Sequence, residues 1–334
     1  MNNSRETILN ALRDGATVSG GELSRRLGLS RAAVWKAVDA LRRDGYDIDA
    51  APGRGYQLRA APDALTETEV RRFLGPVRVV GSAITCLDET GSTNSDCKRL
   101  AAQGAPDGAV VVADSQTAGR GRMGRNFQSP KGKGIYLSAL LYPNLPPEQI
   151  LPLTSLVGVC VCAAAERVCG VRPGLKWPND PVLNGKKVCG ILTELSMEGE
   201  SGRVAYAVTG IGVNVGQTPD DFSPDVAAMA TSLSWELGRP VSRPQLAAAM
   251  IEELDKAYDA LRRGDLSEYL AACRRDCVTV GKRVRLLSPD GRCEDADAVG
   301  LDDAFGLIVR DASGAERVIR TGEVSVRGMY GYAE

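Results

Sequence analysis

No helix can open on the last glycine of Gly119-Arg120-Gly121-Arg122-Met123-Gly124. The segment fits G-x-G-x-x-G, but the dinucleotide fingerprint needs a helix directly after it, so that pyrophosphate rests on a helix N-terminus. Here Asn126-Phe127-Gln128-Ser129-Pro130-Lys131-Gly132-Lys133-Gly134 follows Arg125, and its proline and glycines forbid that helix. A dinucleotide-binding reading is therefore excluded. Arginines and glycines instead make a mobile cationic loop, in which backbone amides and guanidinium groups can approach a phosphate with no bulky side chain between them. A solvated basic loop would have the same composition, so the rest of the chain must decide.

The chain has no histidine. That removes the commonest zinc ligand, the Ser-His-Asp and Cys-His machineries and the usual general base. Chemistry on this chain must rest on charge stabilisation and positioning. The nine cysteines include no Cys-x-x-Cys pair and read as reduced core residues; no metal site is expected from them. A net charge of −1 gives no global attraction to nucleic acid, so any DNA contact needs a local patch. The first residues, Met1-Asn2-Asn3-Ser4-Arg5-Glu6, lack an apolar signal core. The longest apolar stretch, about 151–171, carries Glu166 and Arg167 and reads as a buried helix and not a membrane span. The cytoplasm and no membrane partner are the expectation.

Residues 1–62 carry a helix-turn-helix signal. Ser4 caps a helix with Ile8, Leu9 and Leu12; Ser19-Gly20-Gly21-Glu22 is a capping box for a helix with Leu23 and Leu27. After Gly28-Leu29, Ser30 caps a third helix whose apolar face is Ala33, Val34, Ala37, Val38 and Leu41. Tyr46 to Ala50 and Tyr56 to Arg59, about Pro52-Gly53-Arg54-Gly55, read as a β-hairpin wing. Ser30, Arg31, Ala32, Trp35 and Lys36 lie where such a helix meets base edges, and Arg42, Arg43 and Arg54 could meet phosphates. A winged helix used for protein contacts is the alternative.

Between 63 and 272, strands and helices alternate. A strand is predicted from Val77 to Leu87, a capped helix after Gly91-Ser92-Thr93-Asn94, strands over 108–114 and 135–142, and one long helix from Pro147 to about Cys169. Val182 to Glu194 reads as a hairpin about Asn184-Gly185, and alternation puts Lys187 on the face opposite Lys186, where a lysine is costly unless it meets an anion. A glycine-bearing strand over 204–215 and helices over about 243–262 and 266–276 complete the segment. From 273 to 334, short strands with polar turns read as a small all-β barrel.

Gly91-Ser92-Thr93-Asn94, Gln116-Thr117-Ala118-Gly119-Arg120-Gly121-Arg122, Lys176-Trp177-Pro178-Asn179-Asp180, Gly185-Lys186-Lys187-Val188-Cys189-Gly190-Ile191-Leu192 and Gly210-Ile211-Gly212-Val213-Asn214-Val215 stand in the order and spacing of biotin protein ligases. With the N-terminal winged helix, the chain resembles the bifunctional form, the biotin operon repressors. The resemblance covers nearly the whole chain. It implies an α+β protein: a winged helix-turn-helix DNA-binding domain (1–62), a mixed-sheet α/β ligase domain of class II synthetase type (63–272) and an SH3-like C-terminal barrel (273–334). It also implies that biotin is activated with ATP and Mg²⁺ to biotinyl-5′-AMP and passed to a lysine of a biotin carboxyl carrier protein, with the adenylate as corepressor and an adenylate-bound homodimer on operator DNA.

By the same resemblance, Ser92, Thr93, Asn94, Gln116, Arg120, Gly121, Arg122 and Lys187 would hold biotin. Arg122, Arg125, Lys176, Asn179 and Asn214 would serve the nucleotide, and Lys187, Arg122 and Asp180 would be catalytic, with Asp180 helping the acceptor lysine lose its proton. Glu323 and Arg327 match positions linked to nucleotide or acceptor, with a structural role at the barrel edge as the alternative. Phe127 stands where the family usually has tryptophan, and Cys189 where small residues are common. Two other functions remain: a regulator that only senses biotin, and a lipoate-type ligase.

Overall fold

The structure, a computed structural model, describes residues 2–13, 15–51, 54–199, 202–288, 291–320, 325–328 and 332. The chain divides into two compact units, Met1–Ala64 and Leu65–Glu334. The expected boundary near 272 falls inside the second.

The first unit holds α1 (Asn2–Leu12), α2 (Gly20–Leu27), α3 (Arg31–Arg43) and an antiparallel hairpin of β1 (Asp47–Ala51) and β2 (Gly55–Ala60). Two of the three expected caps are present, and Ser4, expected to cap the first helix, lies inside α1. Ser19 Oγ accepts from the Glu22 amide and Ser30 Oγ from the Ala33 amide, each at 3.1 Å. Gly28 ends α2 at φ 65°, a left-handed geometry glycine adopts without strain. Ile8, Leu9, Leu12, Leu23, Val34, Val38, Leu41, Tyr46 and Ile48 form the core. Pro52 and Gly53 of the expected turn lie outside the described residues.

The second unit is built on a five-stranded sheet in the order β3 (Ile84–Leu87), β4 (Ala109–Ala113), β5 (Gly134–Leu141), β10 (Val204–Asn214), β9 (Cys189–Met197). Only β3 and β4 are parallel, so the sheet is mixed. Before these strands comes α4 (Glu67–Phe73); between them run α5 (Thr93–Ala102), α6 (Pro147–Ile150) and α7 (Leu153–Cys169), with α8 (Pro224–Ala227), α9 (Leu233–Leu237), α10 (Arg243–Arg263) and α11 (Ser267–Asp276) after the sheet. Alternation along β4 divides the two faces: Val110 and Val112 pack with α7 and α10, and Ala109 and Val111 with Cys97 of α5. A second sheet of three short strands, β6 (Gly174–Lys176), β7 (Asp180–Leu183) and β8 (Lys186–Lys187), lies beside the first in sequence.

Three expectations are corrected. The strand predicted from Val77 begins only at Ile84, because the amides of Arg78, Val79 and Val80 donate at 2.8 Å to the buried Asp255 carboxylate of α10 and are lost to a ladder. The helix predicted from Pro147 is broken after Ile150, and Pro152 precedes the first residue of α7. The Asn184-Gly185 hairpin has positive φ at both turn residues (49° and 75°), as a type I′ turn requires, but its second strand is split. Lys187 still pairs with Val182, whereas from Cys189 onward the chain pairs with β10.

Five C-terminal strands, β11 (Arg283–Leu287), β12 (Cys293–Leu301), β13 (Leu307–Arg310), β14 (Glu316–Ile319) and β15 (Ser325–Gly328), form an antiparallel sheet in the order β14-β13-β12-β11-β15. Its apolar residues, among them Leu286, Ala298, Leu307 and Val309, belong to the same core as α7 and α10. Trp177 closes the join: its indole Nε1 donates to the Phe305 carbonyl at 2.9 Å, and its amide to Thr279 Oγ1 at 3.0 Å.

Candidate active site

On the α5 face of the main sheet, the helix covers only one half. Along β10 the residues on that face are Val208, Gly210 and Gly212; their neighbours on β9 are Glu194, Leu192 and Gly190. Where α5 packs there are side chains, and beyond its N-terminus there are glycines. The missing side chains leave a cavity of 760 Å³, within the range of about 300–1,000 Å³ usual for ligand sites. The glycines are required by what lies against them. A Cβ on Gly210 would sit 2.1 Å from Asn94 Oδ1, and one on Gly212 2.5 Å from the Phe127 ring.

One end of the cavity is uncharged. Ser92, Thr93 and Asn94, at the start of α5, line it and are buried. Ser92 occupies the N-cap position but makes no capping hydrogen bond. The Thr93 amide donates to Gln116 Oε1 at 2.9 Å, and Gln116 Nε2 donates to Ser129 Oγ at 3.0 Å. Ser138 of β5, fully buried, has its hydroxyl 2.6 Å from Asn94 Oδ1 and 2.7 Å from Thr93 Oγ1. Asn94 Nδ2 donates to Glu194 Oε2 at 2.8 Å.

The other end is charged. Lys187 Nζ lies 2.6 Å from Asp180 Oδ1, off the direction of a hydrogen bond. The Tyr332 hydroxyl donates to the second Asp180 oxygen, and the Tyr332 ring lies 3.7 Å under Lys176 Nζ. Arg122 Nη1 donates to Asn179 Oδ1 at 3.0 Å, and Asn179 is turned by its own bond to the Ile191 carbonyl, also 3.0 Å. Burial lowers the Arg122 guanidinium pKa from its ordinary value, with Asp180 opposing the shift. Arg125 also lines the cavity and is exposed.

The arginine loop folds back on itself between these ends. The Gly121 amide donates to Arg125 O at 2.7 Å and the Phe127 amide to Gly119 O at 2.9 Å, with one helical turn at Arg122–Gly124. A side chain on Gly119 would come within 2.5 Å of the Phe127 carbonyl, so this closure needs glycine there. Arg120 reaches out to Ser95 Oγ at 3.2 Å and Glu194 at 3.7 Å. Phe127 packs edge-on to Tyr136.

Of the residues singled out in the sequence, Ser92, Thr93, Asn94, Gln116, Arg120, Gly121, Arg122, Arg125, Lys176, Asn179, Asp180 and Lys187 all line this one cavity. Asn214 does not. Its Nδ2 donates to the Thr231 carbonyl and its Oδ1 accepts from Gln217, so the side chain ties two segments together. Cys189 is buried in the core, and burial pushes its thiol well above the ordinary range. Glu323 lies outside the described residues, as does the side chain of Arg327. Tyr332 and Met229 line the cavity without any local sequence signal, since both arrive from segments remote in the chain.

In the first unit, Ser30, Arg31, Ala32, Trp35 and Lys36 are all exposed on α3, Trp35 at 57%. Two arginines expected at phosphates have protein partners. Arg42 donates to the Ile48 carbonyl at 2.6 Å and Arg43 to Asp39 at 2.8 Å.

Residues 4–57 match an HTH domain, and residues 86–214 match the biotin/lipoate A/B protein ligase family. The bifunctional ligase/repressor BirA of Bacillus subtilis is 36% identical over 301 residues, covering 90% of this chain and 91% of that protein. The biotin--[acetyl-CoA-carboxylase] ligase of Mycobacterium tuberculosis is 33% identical over 241 residues, 71% of this chain and 86% of that protein. The solved structure of biotin protein ligase from Aquifex aeolicus in complex with biotin and ATP superposes with a TM-score of 0.64 at 30% identity, covering 74% of this chain and 99% of that one.

Proposed function

The chain belongs to the biotin protein ligase family in its bifunctional ligase/repressor form, and from that premise we propose that it activates biotin with ATP, passes it to a carrier protein and represses transcription. A biotin carboxylate oxygen attacks the ATP α-phosphorus, forming biotinyl-5′-AMP and expelling pyrophosphate. The amine of an acceptor lysine, on a biotin carboxyl carrier protein, then attacks the acyl carbon and expels AMP. Both steps move negative charge and neither needs a covalent enzyme intermediate, which suits a chain without histidine.

The observation that carries this reading is the convergence of Lys187, Arg122, Lys176 and Arg125 on a cavity whose other end is uncharged and rich in hydrogen-bonding groups. Lys187 meets the biotin carboxylate and then the adenylate. Arg122, Arg125, Lys176 and Asn179 face the phosphates. Asp180, beside Lys187, takes up the proton of the acceptor amine. Among the described residues Asp180 is the one carboxylate lining the cavity, and no cluster of three or more His, Cys, Asp or Glu could hold a metal. That donor set fits Mg²⁺ carried by the triphosphate, which commonly uses one or two carboxylates besides substrate oxygens. Bound there, Mg²⁺ would neutralise phosphate charge.

The test is biotin-dependent exchange of pyrophosphate into ATP, followed by transfer to an apo carrier protein. Exchange and transfer are expected; a folded chain that shows neither refutes the reading. Exchange without transfer would reduce the chain to a sensor that makes its own ligand. Preference for lipoate over biotin in competition would favour a lipoate-type ligase, which the hydrogen-bonding end of the cavity argues against.

For regulation, biotinyl-5′-AMP is the corepressor: it orders the arginine loop and favours a homodimer, and the α3 residues of two copies read two operator half-sites. Sedimentation and operator binding that do not respond to adenylate would refute this. We read the C-terminal sheet as an SH3-like barrel and the central domain as class II synthetase-like, and place the protein in the cytoplasm with its ATP and carrier. The one helical stretch among the described residues long and apolar enough to cross a membrane, Pro147–Cys169, is mostly buried.

A further inference from the structure

Glu194 has no place in the chemistry above, yet it sits at the back of the uncharged end of the cavity, on the cavity face of β9 opposite Val208. Its carboxylate holds three groups from two segments: Lys98 Nζ at 2.6 Å and Asn94 Nδ2 at 2.8 Å, both of α5, and Arg120 Nη2 of the arginine loop at 3.7 Å. Burial alone would raise this carboxyl, but the hydrogen bonds from Lys98 and Asn94 and the charge of Arg120 hold it below the ordinary range.

An anion accepts hydrogen bonds and donates none. The Glu194 carboxylate at 2.8 Å, with the more distant Leu192 carbonyl (3.4 Å) beside it, therefore sets which way the Asn94 amide points: Nδ2 toward these two acceptors, Oδ1 toward Ser138 and the glycine floor. Asn94 Oδ1 can only accept, so the one Ser138 proton goes to it, and Ser138 Oγ then offers a lone pair to Thr93. Gln116 is fixed separately, its Oε1 accepting from the Thr93 backbone amide. From Glu194 through Asn94 and Ser138 to the Thr93 hydroxyl the donors and acceptors are thus set in one sense. A neutral residue at 194 that can both donate and accept would leave only the long bond to the Leu192 carbonyl to hold the Asn94 amide in this sense, and so weaken the order of the row.

We propose that Glu194 is a specificity-determining positioning residue. Its negative charge sets the hydrogen-bond polarity of the uncharged end of the cavity, which selects a ligand with a cyclic urea head, two N–H donors flanking one carbonyl acceptor. This rests on reading that end as the biotin pocket.

The experiment compares wild type, Glu194→Gln and Glu194→Asp in pyrophosphate exchange with biotin, with desthiobiotin, which keeps the cyclic urea, and with octanoate, which lacks it. Hydrogen bonds to charged groups are roughly twice as strong as neutral ones, so Glu194→Gln should raise KM for biotin and for desthiobiotin by about tenfold. Its kcat and its KM for ATP should stay within about twofold, a value reserved for a residue remote from the reacting atoms. Glu194→Asp keeps the charge and should recover most of the loss, and discrimination against octanoate should fall in the Gln variant alone. An unchanged KM for biotin, or a loss confined to kcat, overturns the proposal. Should Glu194→Gln not fold, Ser138→Ala breaks the next link and must also raise KM for biotin; no rise there is equally fatal. A wild-type chain with no exchange condemns the ligase reading, whereas exchange that is blind to residue 194 condemns this inference alone.

Discussion

Replacing Gly210 by alanine adds one methyl group to the floor of the cavity, and its neighbour cannot make room. The new Cβ would stand 2.1 Å from Asn94 Oδ1 and 2.9 Å from Asn94 Cγ, where real Cβ contacts essentially never fall below 3.0 Å. Asn94 would have to retreat by almost an ångström, yet it is tethered by Glu194 at 2.8 Å on one side and by Ser138 at 2.6 Å on the other. An overpacking strain of about 1–3 kcal/mol is expected. If the retreat breaks the Ser138 bond, about another 1 kcal/mol is lost. For a unit of this size each kcal/mol lowers Tm by roughly 2–4 °C, so thermal unfolding followed by circular dichroism should fall by several degrees. The same displacement should raise KM for biotin at least tenfold, since about 1.4 kcal/mol of lost binding suffices. Gly212→Ala is the control: its Cβ meets the edge of the half-buried Phe127 ring at 2.5 Å, and that ring, unlike Asn94, has no hydrogen bonds to tether it. Gly212→Ala should therefore cost less in Tm than Gly210→Ala. Equal costs, or a Gly210→Ala protein with the wild-type Tm and KM, would refute the argument that a locked Asn94 is what makes Gly210 necessary.

Lys187→Ala removes the cation nearest Asp180 and should slow adenylate formation by about 10²–10³ in single-turnover assays, in line with loss of one preorganised charge donor. Arg122→Gly breaks the bond to Asn179 and should speed release of biotinyl-5′-AMP by about tenfold or more, with a change in urea midpoint too small to resolve easily, because the arginine lies on a loop. Asp255→Asn offers one acceptor oxygen to three amides that now share two, and should cost about 1–3 kcal/mol in urea unfolding while leaving KM for ATP and biotin unchanged. Of the nine thiols only Cys293 is exposed, and burial holds Cys86, Cys97 and Cys162 up at about 12. One thiol should thus react fast with an aromatic disulfide reagent at neutral pH and the others should wait for unfolding.

Local chemistry was legible in the chain. The caps at Ser19 and Ser30, the left-handed Gly28, the type I′ turn at Asn184-Gly185 and the impossibility of a helix after Gly124 each depend on a few consecutive residues and their sterics. The ordered motifs likewise announced which side chains would gather, and twelve of them line one cavity. Where the expectations failed, the deciding partner was far away in sequence. Asp255 takes the amides of 78–80 across more than 170 residues and so ends a strand that apolar composition had predicted. Val188 hands the chain from one sheet to another because its carbonyl is claimed by Asn214 and its amide by Pro181, so a hairpin that looked continuous is split between two sheets.

The functional detail divides along the same line. Sequence alone identified a loop of arginines and glycines, a lysine expected to seek an anion, and a chain with no histidine to do the chemistry in their place. Only the tertiary structure decided that the anion beside Lys187 is Asp180, that Asn214 is a strut outside the cavity, that Tyr332 lies between Lys176 and Asp180, and that Glu194 orients Asn94. The physical reason is that a polar side chain's role depends on which partners burial leaves within about 3 Å of it. Backbone caps and turns find theirs within four residues, whereas these side chains find theirs from strands and tails that meet only when the whole unit has folded.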